Sequence, residues 1–528
     1  MNFANYARIN ALKYPDKVCL IERFPAKKQR RSLTWRDFND EINRAAHFLQ
    51  KRLNINRGDH VLHLLNNSLE WLITYFGIIK LGAVVVPLNF RFAGKDILYA
   101  AGIARPAAFI LGTDFLDRVI PVQEQLEMVK SYVILGDECP PNMIPGMIPY
   151  SEVEAFDEND EAIIEMQDDD DLALMFTSGT TGDAKPVIHT HGSLNATAIG
   201  NGLSFPMDVN DNYIFFLPLF HAGAMFYWTA YYACGATGTL IRDCRNPLWI
   251  LEAISEECGT GVFPTVPFCV DLINQIKSGD IDLKNYDLSS WRDLITGAQP
   301  VPYDVLKSLV DLLPCRIHNA YGVTEAGGGA TWALHHDDIL TRPGSIGKPN
   351  FGVEGKIVDE KGDEVSTGQV GELIIKSPRL MKGYYKNRNL TEQSIKGGLF
   401  YTGDLTRLDE EGYYYIVDRK KDTITCGGEN IYPLEIEDVL HEHRNIDDAA
   451  VIGYPDDRLV EIVMAVVQVK AGMSLSEEEV IEFCKSKLAL YKVPRKVVFG
   501  DVPRNPTGKL MKPLLREKYT GRREAFKI

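Results

Sequence analysis

Through its N-terminal part the chain alternates short apolar runs with stretches at helical spacing, and no other feature limits the fold as strongly. "SLTWRDFNDEINRAAHFLQKRLNI" opens on a Ser or Thr able to cap a helix, then runs at helical spacing. "DHVLHLL" follows, then a helical segment from Trp71 to Lys80, then "AVVVPLN", "AAFILG" and "SYVILG". Short apolar runs bounded by turn signals are strands covered on both faces, and such strands alternate with helices in parallel sheets. The expected class is α/β, with mostly parallel sheets flanked by helices.

The texture changes twice towards the C-terminus. From about Gly344, "GSIGKPNFGVEGKIVDEKGDEVSTGQVGELIIKS" breaks short strands with Gly-rich turns, the pattern of a small antiparallel β subdomain over about 344–419. After "YYYIVDRKKD" come two strands, "AAVIGY" and "IVMAVVQVK", and a helix in "SLSEEEVIEFCKSKLA". There Ser476 and Glu479 are spaced as a capping box. The expected division is a large N-terminal domain, 1–419, and a small mobile α+β C-terminal domain, 420–528. A chain of 528 residues is long enough for both.

Charge and cysteine usage exclude several function classes. Lys and Arg number 57 against 72 Asp and Glu, a net charge of −15, which opposes nucleic-acid or anionic-membrane binding. The nine cysteines are scattered and form no C-x-x-C pair, as expected of reduced thiols in a cytoplasmic protein. The most apolar stretch, "WLITYFGIIKLGAVVVPLNF", is broken by Lys80, Gly82 and Pro87, so a buried helix and strand are expected there and no transmembrane segment. The acid run Asp168 to Asp171 reads as a solvated connection.

"TSGTTGDAK", after the apolar run Leu172 to Phe176, has what a phosphate chain needs. Gly179 and Gly182 let backbone N–H groups turn towards an anion. Thr177, Ser178, Thr180 and Thr181 add hydroxyls, and Lys185 a mobile charge. It is no Walker A loop, since Ala184 stands where the second glycine belongs. By itself the loop is equally a Gly/Thr-rich surface turn. Further segments add chemistry. "NAYGVTEAGG" sets Thr324 and Glu325 after a Tyr-Gly turn, and a carboxylate there suits Mg²⁺. "YTGDLTRLDEEGYYYIVDRKKD" places Asp404 after a Gly turn and Arg419 at a strand end, a pairing for ribose hydroxyls and phosphate oxygens. "PRNPTGKLMK" carries Lys509.

With TSGTTG-x-x-K, F-H-x-G (Phe220 to Gly223), TGAQP (Thr296 to Pro300), YGVTE, GELIIKSP, YTGD, DRKKD, GGENIYPLEIE and PRNPTGK in this order, the sequence resembles the AMP-forming acyl-CoA synthetases of the adenylate-forming superfamily. The resemblance covers almost the whole chain. It implies that ATP and a carboxylate form an acyl-adenylate and pyrophosphate, after which the thiol of coenzyme A displaces AMP. It implies that Thr177, Ser178, Gly179, Thr180, Thr181, Gly182 and Lys185 grip the β- and γ-phosphates. Thr324 would touch the α-phosphate and Glu325 would hold Mg²⁺. Gly297, Ala298, Gln299 and Pro300, with Asn319, Ala320, Tyr321 and Gly322, would line the nucleotide. Asp404 would bind the ribose, with Arg419 beside it, and Lys509 would bridge carboxylate and α-phosphate.

It further implies a hinge at Lys421, a thiol tunnel at His221, Gly427, Gly428 and Glu429, and an acyl pocket at His221, Ala222, Gly223, Met225, Gly322, Gly327 and Gly328. Relatives acting on amino acids carry Asp where His221 stands, and acetate-selective ones carry Trp where Gly322 stands. The implied acid is therefore medium-chain, branched, alicyclic or aromatic. The expected partners are that carboxylate, ATP and coenzyme A, with a homodimer left open. A ligase loading a carrier protein, a coenzyme A-independent adenylase and an inactive nucleotide-binding relative are the competing readings. One departure stands out: relatives read Gly-x-Pro-Lys-Gly where this chain has Gly182-Asp183-Ala184-Lys185-Pro186. The proline lacks an N–H, which would remove one phosphate donor.

Overall fold

The computed structural model describes the chain except residues 137–143, 145, 163, 178–183, 243–245, 329, 427–428, 457, 505–509 and 522–528. Its strands make three sheets. An eight-stranded sheet runs Gly383–Tyr384, Lys185–Thr190, Asp171–Thr177, Val84–Pro87, His60–Leu64, Ala108–Gly112, Ser131–Leu135, Met147–Pro149. From Asp171–Thr177 to Met147–Pro149 every pairing is parallel. These strands are the apolar runs of the sequence, and the 84–87 and 108–112 strands are buried at every position. The other edge departs from the expected alternation. Lys185–Thr190 is a strand, not a helix, and pairs antiparallel with Asp171–Thr177.

A 14-stranded sheet has a parallel centre, Val18–Phe24, Thr237–Ile241, Asn212–Phe215, Gly261–Val262, Asp293–Gly297 and Arg316–Tyr321. Beyond Arg316–Tyr321 it turns antiparallel through Trp332–Leu334, Ser345–Pro349, Tyr414–Arg419, Leu399–Leu408, Gly371–Lys376 and Glu354–Val358. The antiparallel strands of 344–419 are thus hydrogen-bonded onto the large sheet. Gly403, read from sequence as a turn before Asp404, lies inside the long strand Leu399–Leu408 with φ +72°. A five-stranded sheet holds Glu429–Ile431, Ile424–Cys426, Val460–Val469 and Ile446–Asp456, with Lys496–Phe499 beside Val460–Val469.

One core joins residues of both large sheets, such as Val85 and Ala173 of one and Tyr213 and Phe215 of the other, through helices Leu69–Lys80 and Ala222–Cys234. Phe76 and Tyr232 meet there at 4.6 Å between ring centroids. Every residue of Leu69–Lys80 is buried, including its lysine, whose ammonium pairs with Glu161 at 2.7 Å and donates to Asn39 Oδ1. A buried charge persists only when partnered in this way. Local signals also formed as expected. Thr34 caps helix Trp35–His47, and Ser476 with Glu479 makes the capping box of helix Glu477–Lys485. Among the described residues no helix is long and apolar enough to cross a membrane.

Candidate active site

The hydroxyl-rich loop is held by a hairpin. Thr177 and Lys185 face each other as a cross-strand pair, and Thr177 Oγ1 donates to the Lys185 carbonyl at 3.3 Å. Ser178, Gly179, Thr180, Thr181 and Gly182 lie outside the described residues. The Lys185 ammonium stands 5.8 Å from the centroid of the Tyr384 ring. Pro186 is a strand residue whose carbonyl accepts from Tyr385 N–H at 2.9 Å. In an extended strand the amide nitrogen and carbonyl of one residue face the same neighbour. The N–H that proline lacks is therefore absent from the sheet, on the side of Tyr385, which corrects the expectation of a lost phosphate donor.

Tyr384 links that strand to the next candidate. Its hydroxyl donates to Glu325 Oε1 at 2.9 Å, and burial together with this carboxylate pushes the phenol well above its ordinary pKa. Glu325 lies with Thr324 on a single 3₁₀ turn, Thr324–Ala326. Two bonds position the turn from outside: His189 Nε2 donates to the Thr324 carbonyl at 2.9 Å, and Met381 N–H to the Glu325 carbonyl at 2.7 Å. Burial pushes His189 down to about 4, against the opposing pull of the Thr324 carbonyl, so its ring is neutral at physiological pH. Neither His189 nor Tyr384 carried a signal in the sequence, because each acts across a long separation.

The parallel strands Asp293–Gly297 and Arg316–Tyr321 pair Thr296 with Asn319 and Gly297 with Ala320. Gly297 has φ +155°, and a Cβ there would fall 2.0 Å from the Ala320 carbonyl oxygen. Ala298 follows in the left-handed region at φ +66°. That costs a non-glycine residue about 1–2 kcal/mol and persists where surroundings impose it, often at ligand sites. Beside it the side-chain oxygen of Gln299 is buried with no hydrogen-bond partner among the described residues. Asn319 donates to the Ser345 carbonyl, while Tyr321 donates its hydroxyl to Asp404 Oδ2 at 2.5 Å. Asp404 stands opposite Arg419 across the strand pair, with Oδ1 2.9 Å from the guanidinium Nε, and its side chain is 3% exposed. Asp404 in turn raises the Arg419 pKa further.

His221 is the N-cap of helix Ala222–Cys234, its Nδ1 accepting from Gly223 N–H at 3.2 Å. Met225 is fully buried. Gly328 takes φ +56°, and a Cβ there would meet Ala222 Cβ at 2.4 Å; Gly327 likewise abuts Thr197 and Arg379. The structure thus brings Ala222, Gly223, Gly327 and Gly328 together. The smallness of the last two serves close packing of the 327–328 turn and leaves no open space at those points. Gly322 and Pro300 are within the described residues, on the segments after Tyr321 and Gln299.

Lys421 lies on the turn joining Tyr414–Arg419 to Ile424–Cys426. The flanking residues are tied to different parts of the molecule. Lys420 pairs with Glu372 of the large sheet at 2.9 Å, whereas Asp422 pairs with Arg516 of helix Lys512–Thr520 at 2.6 Å. Glu429 is exposed at the start of a strand; Gly427, Gly428 and Lys509 lie outside the described residues.

The chain is similar to known proteins over most of its length. The family model for the AMP-binding enzyme matches residues 7–385, and that for the AMP-binding enzyme C-terminal domain matches 435–509. A long-chain-fatty-acid–CoA ligase of Mycobacterium tuberculosis, FadD13, is 32% identical over 495 residues, covering 92% of this chain and 93% of that protein. The anthranilate CoA ligase AuaEII in complex with anthranoyl-AMP superposes with a TM-score of 0.86 at 25% identity, covering 98% and 97% of the two chains. The O-succinylbenzoate coenzyme A synthetase of Bacillus subtilis, in complex with ATP and magnesium ion, gives 0.83 at 27% identity, covering 97% and 99%. The chain belongs to the AMP-binding enzyme family.

Proposed function

We propose that this protein joins a carboxylic acid to coenzyme A at the expense of ATP, through an acyl-adenylate, releasing AMP and pyrophosphate. The observation that carries the reading is the convergence of separated segments into one constellation: Lys185, Tyr384 and Glu325 at one point, Tyr321, Asp404 and Arg419 at another. Bringing a carboxylate to a polyphosphate opposes like charges, so catalysis is mainly positioning and neutralisation. Thr177 to Gly182, with Lys185, would hold the β- and γ-phosphates. Thr324, pinned by His189, would touch the α-phosphate.

Glu325 fits a magnesium ion. It is a hard oxygen donor fixed by Tyr384, and an ion shared with phosphates needs only one or two protein carboxylates. Bound there, the ion would neutralise phosphate charge. The orphaned Gln299 oxygen suits a donor on the purine, beside Gly297, Ala298, Pro300, Asn319 and Ala320. Asp404 already accepts from Tyr321 and Arg419, so ribose hydroxyls would share an occupied carboxylate whose orientation is set in advance. Lys509 would bring a point charge to the reacting oxygens, and Lys421 would be the hinge, as the divided allegiance of Lys420 and Asp422 supports. His221, Gly427, Gly428 and Glu429 would border the thiol route.

The acid is medium-chain, branched, alicyclic or aromatic, with the absence of a side chain at Gly322 leaving room for it. Gly322→Trp should shift preference to acetate or propionate, and an unchanged chain-length profile in a panel assay would refute that placement. The free thiols of the described residues suit a cytoplasmic protein. Pyrophosphate exchange across a carboxylate panel, then thioester detection with and without coenzyme A, tests the whole reading. Exchange with no thioester would favour a carrier-protein ligase or a coenzyme A-independent adenylase. No exchange with any acid would favour an inactive nucleotide-binding relative.

A further inference from the structure

Asp418, one residue before Arg419, is 5% exposed, and both of its oxygens accept backbone N–H groups. Oδ1 takes Arg419 N–H at 2.6 Å, and Oδ2 takes Leu434 N–H at 2.9 Å. Leu434 is in the first turn of helix Pro433–His441, whose own N-cap, Tyr432, offers no side-chain bond. Asp418 thus satisfies a helix start that the local sequence leaves open. Charges on two neighbouring helices bear on it, Lys512 of helix Lys512–Thr520 and Glu437 of helix Pro433–His441, and the neutral phenol of Tyr432 is close enough to feel it. Lys512 is itself buried, 2.8 Å from Glu437.

These contacts divide at the Lys420–Asp422 turn. Lys420 with Glu372 stays on the large-sheet side of a hinge at Lys421, and Asp422 with Arg516 on the other. The Asp418–Leu434 bond crosses it. We propose that Asp418 is an orientation latch, a positioning residue that holds the C-terminal segment as described and must release Leu434 and Lys512 before the segment turns. The proposal rests on the two-step ligase reading with a hinge at Lys421. Burial pushes Asp418 up to about 6, only partly offset by Lys512. A carboxyl released to water returns to its ordinary value near 4. Lowering the pH through 6 therefore favours the latched form, and raising it favours release.

The test measures the two half-reactions separately, as pyrophosphate exchange and as thioester formation from supplied acyl-adenylate, in the full-length enzyme. Asp418→Ala removes the acceptors of two part-buried N–H groups and should change the ratio of the half-reaction rates by about fivefold or more at pH 7.5. Asp418→Asn, which keeps one of the two acceptors and cannot ionise, should in a variant shown folded by its thermal unfolding abolish the part of the ratio's dependence between pH 5.5 and 7.5 that wild type shows. A ratio within twofold of wild type in Asp418→Ala, or an Asp418→Asn profile that follows wild type, overturns the latch. Lys509→Ala is the control for the reading beneath it: equal loss in both half-reactions would remove the alternation itself, and the latch with it.

Discussion

Tyr384→Phe isolates one atom of the proposed metal site. The substitution removes only a hydroxyl, keeps the ring facing Lys185, and leaves the backbone pairing of Tyr384 with Val187 intact. The fold should survive, because the residue is 7% exposed and its volume hardly changes. What is lost is the donor 2.9 Å from Glu325 Oε1. A hydrogen bond to a charged group is worth about 1.5–3 kcal/mol. Glu325 is partly exposed, so water recovers some of this and the lower end applies. If the bond holds the carboxylate where magnesium binds, about 1.4 kcal/mol of lost orientation is tenfold in rate. The assay is pyrophosphate exchange at saturating acid with Mg²⁺ titrated, alongside thermal unfolding. The expected result is a roughly tenfold rise in half-saturating Mg²⁺, or an equal fall in rate, with an unfolding midpoint close to wild type. Unchanged magnesium dependence in a folded variant would refute the link between Tyr384 and the metal.

Three further outcomes are expected. Gly297→Ala should cost about 3 kcal/mol or more and weaken AMP binding, since its Cβ meets the Ala320 carbonyl at 2.0 Å; calorimetry with an unshifted unfolding midpoint and affinity would contradict this. His189, held near 4 against about 6.5 when unfolded, binds its proton more weakly in the native state, so its contribution of roughly 3 kcal/mol is present above pH 6.5 and is lost as pH falls towards 4. His189→Gln should flatten that acid slope in a stability–pH series, and an unaltered slope would show that other groups cause it. Lys509→Ala should abolish adenylation while largely sparing thioester formation from supplied acyl-adenylate, read by the same two half-reaction assays.

What could be read from sequence is what depends on neighbours along the chain. The strands around Val61, Val85 and Ile110 declare themselves by continuous apolar character, and the Ser476–Glu479 cap by spacing alone. The strand Lys185–Thr190 does not, because its polar residues and initial proline resemble a loop until Asp171–Thr177 and Gly383–Tyr384 pair with it on either side. The motifs named candidates such as Glu325 and Asp404, but not the long-range contacts that hold them. Tyr321 meets Asp404 across 83 positions, and His189 meets Thr324 across 135. Arg379 is the extreme case. Nothing in "KSPRLMKG" marks it, yet it is 1% exposed, hydrogen-bonded to Asn201 and to the carbonyls of Ala330 and Phe351, and burial pushes it down to about 10.

The hairpin of Asp171–Thr177 and Lys185–Thr190, proposed above to serve the phosphates, has an electrostatic consequence. Many anion loops run into a helix, whose N-terminus contributes roughly half a positive charge from aligned peptide dipoles. Here the chain leaves the loop as the strand Lys185–Thr190, and strand dipoles nearly cancel. In the proposed role, charge neutralisation on this side would fall to the ammonium of Lys185 and to whatever donors residues 177–183 supply. Because Lys185 belongs to the sheet, its backbone is fixed and only the four-carbon stem can adjust. A phosphate grip of this kind is a discrete, screenable charge on a stiff mount.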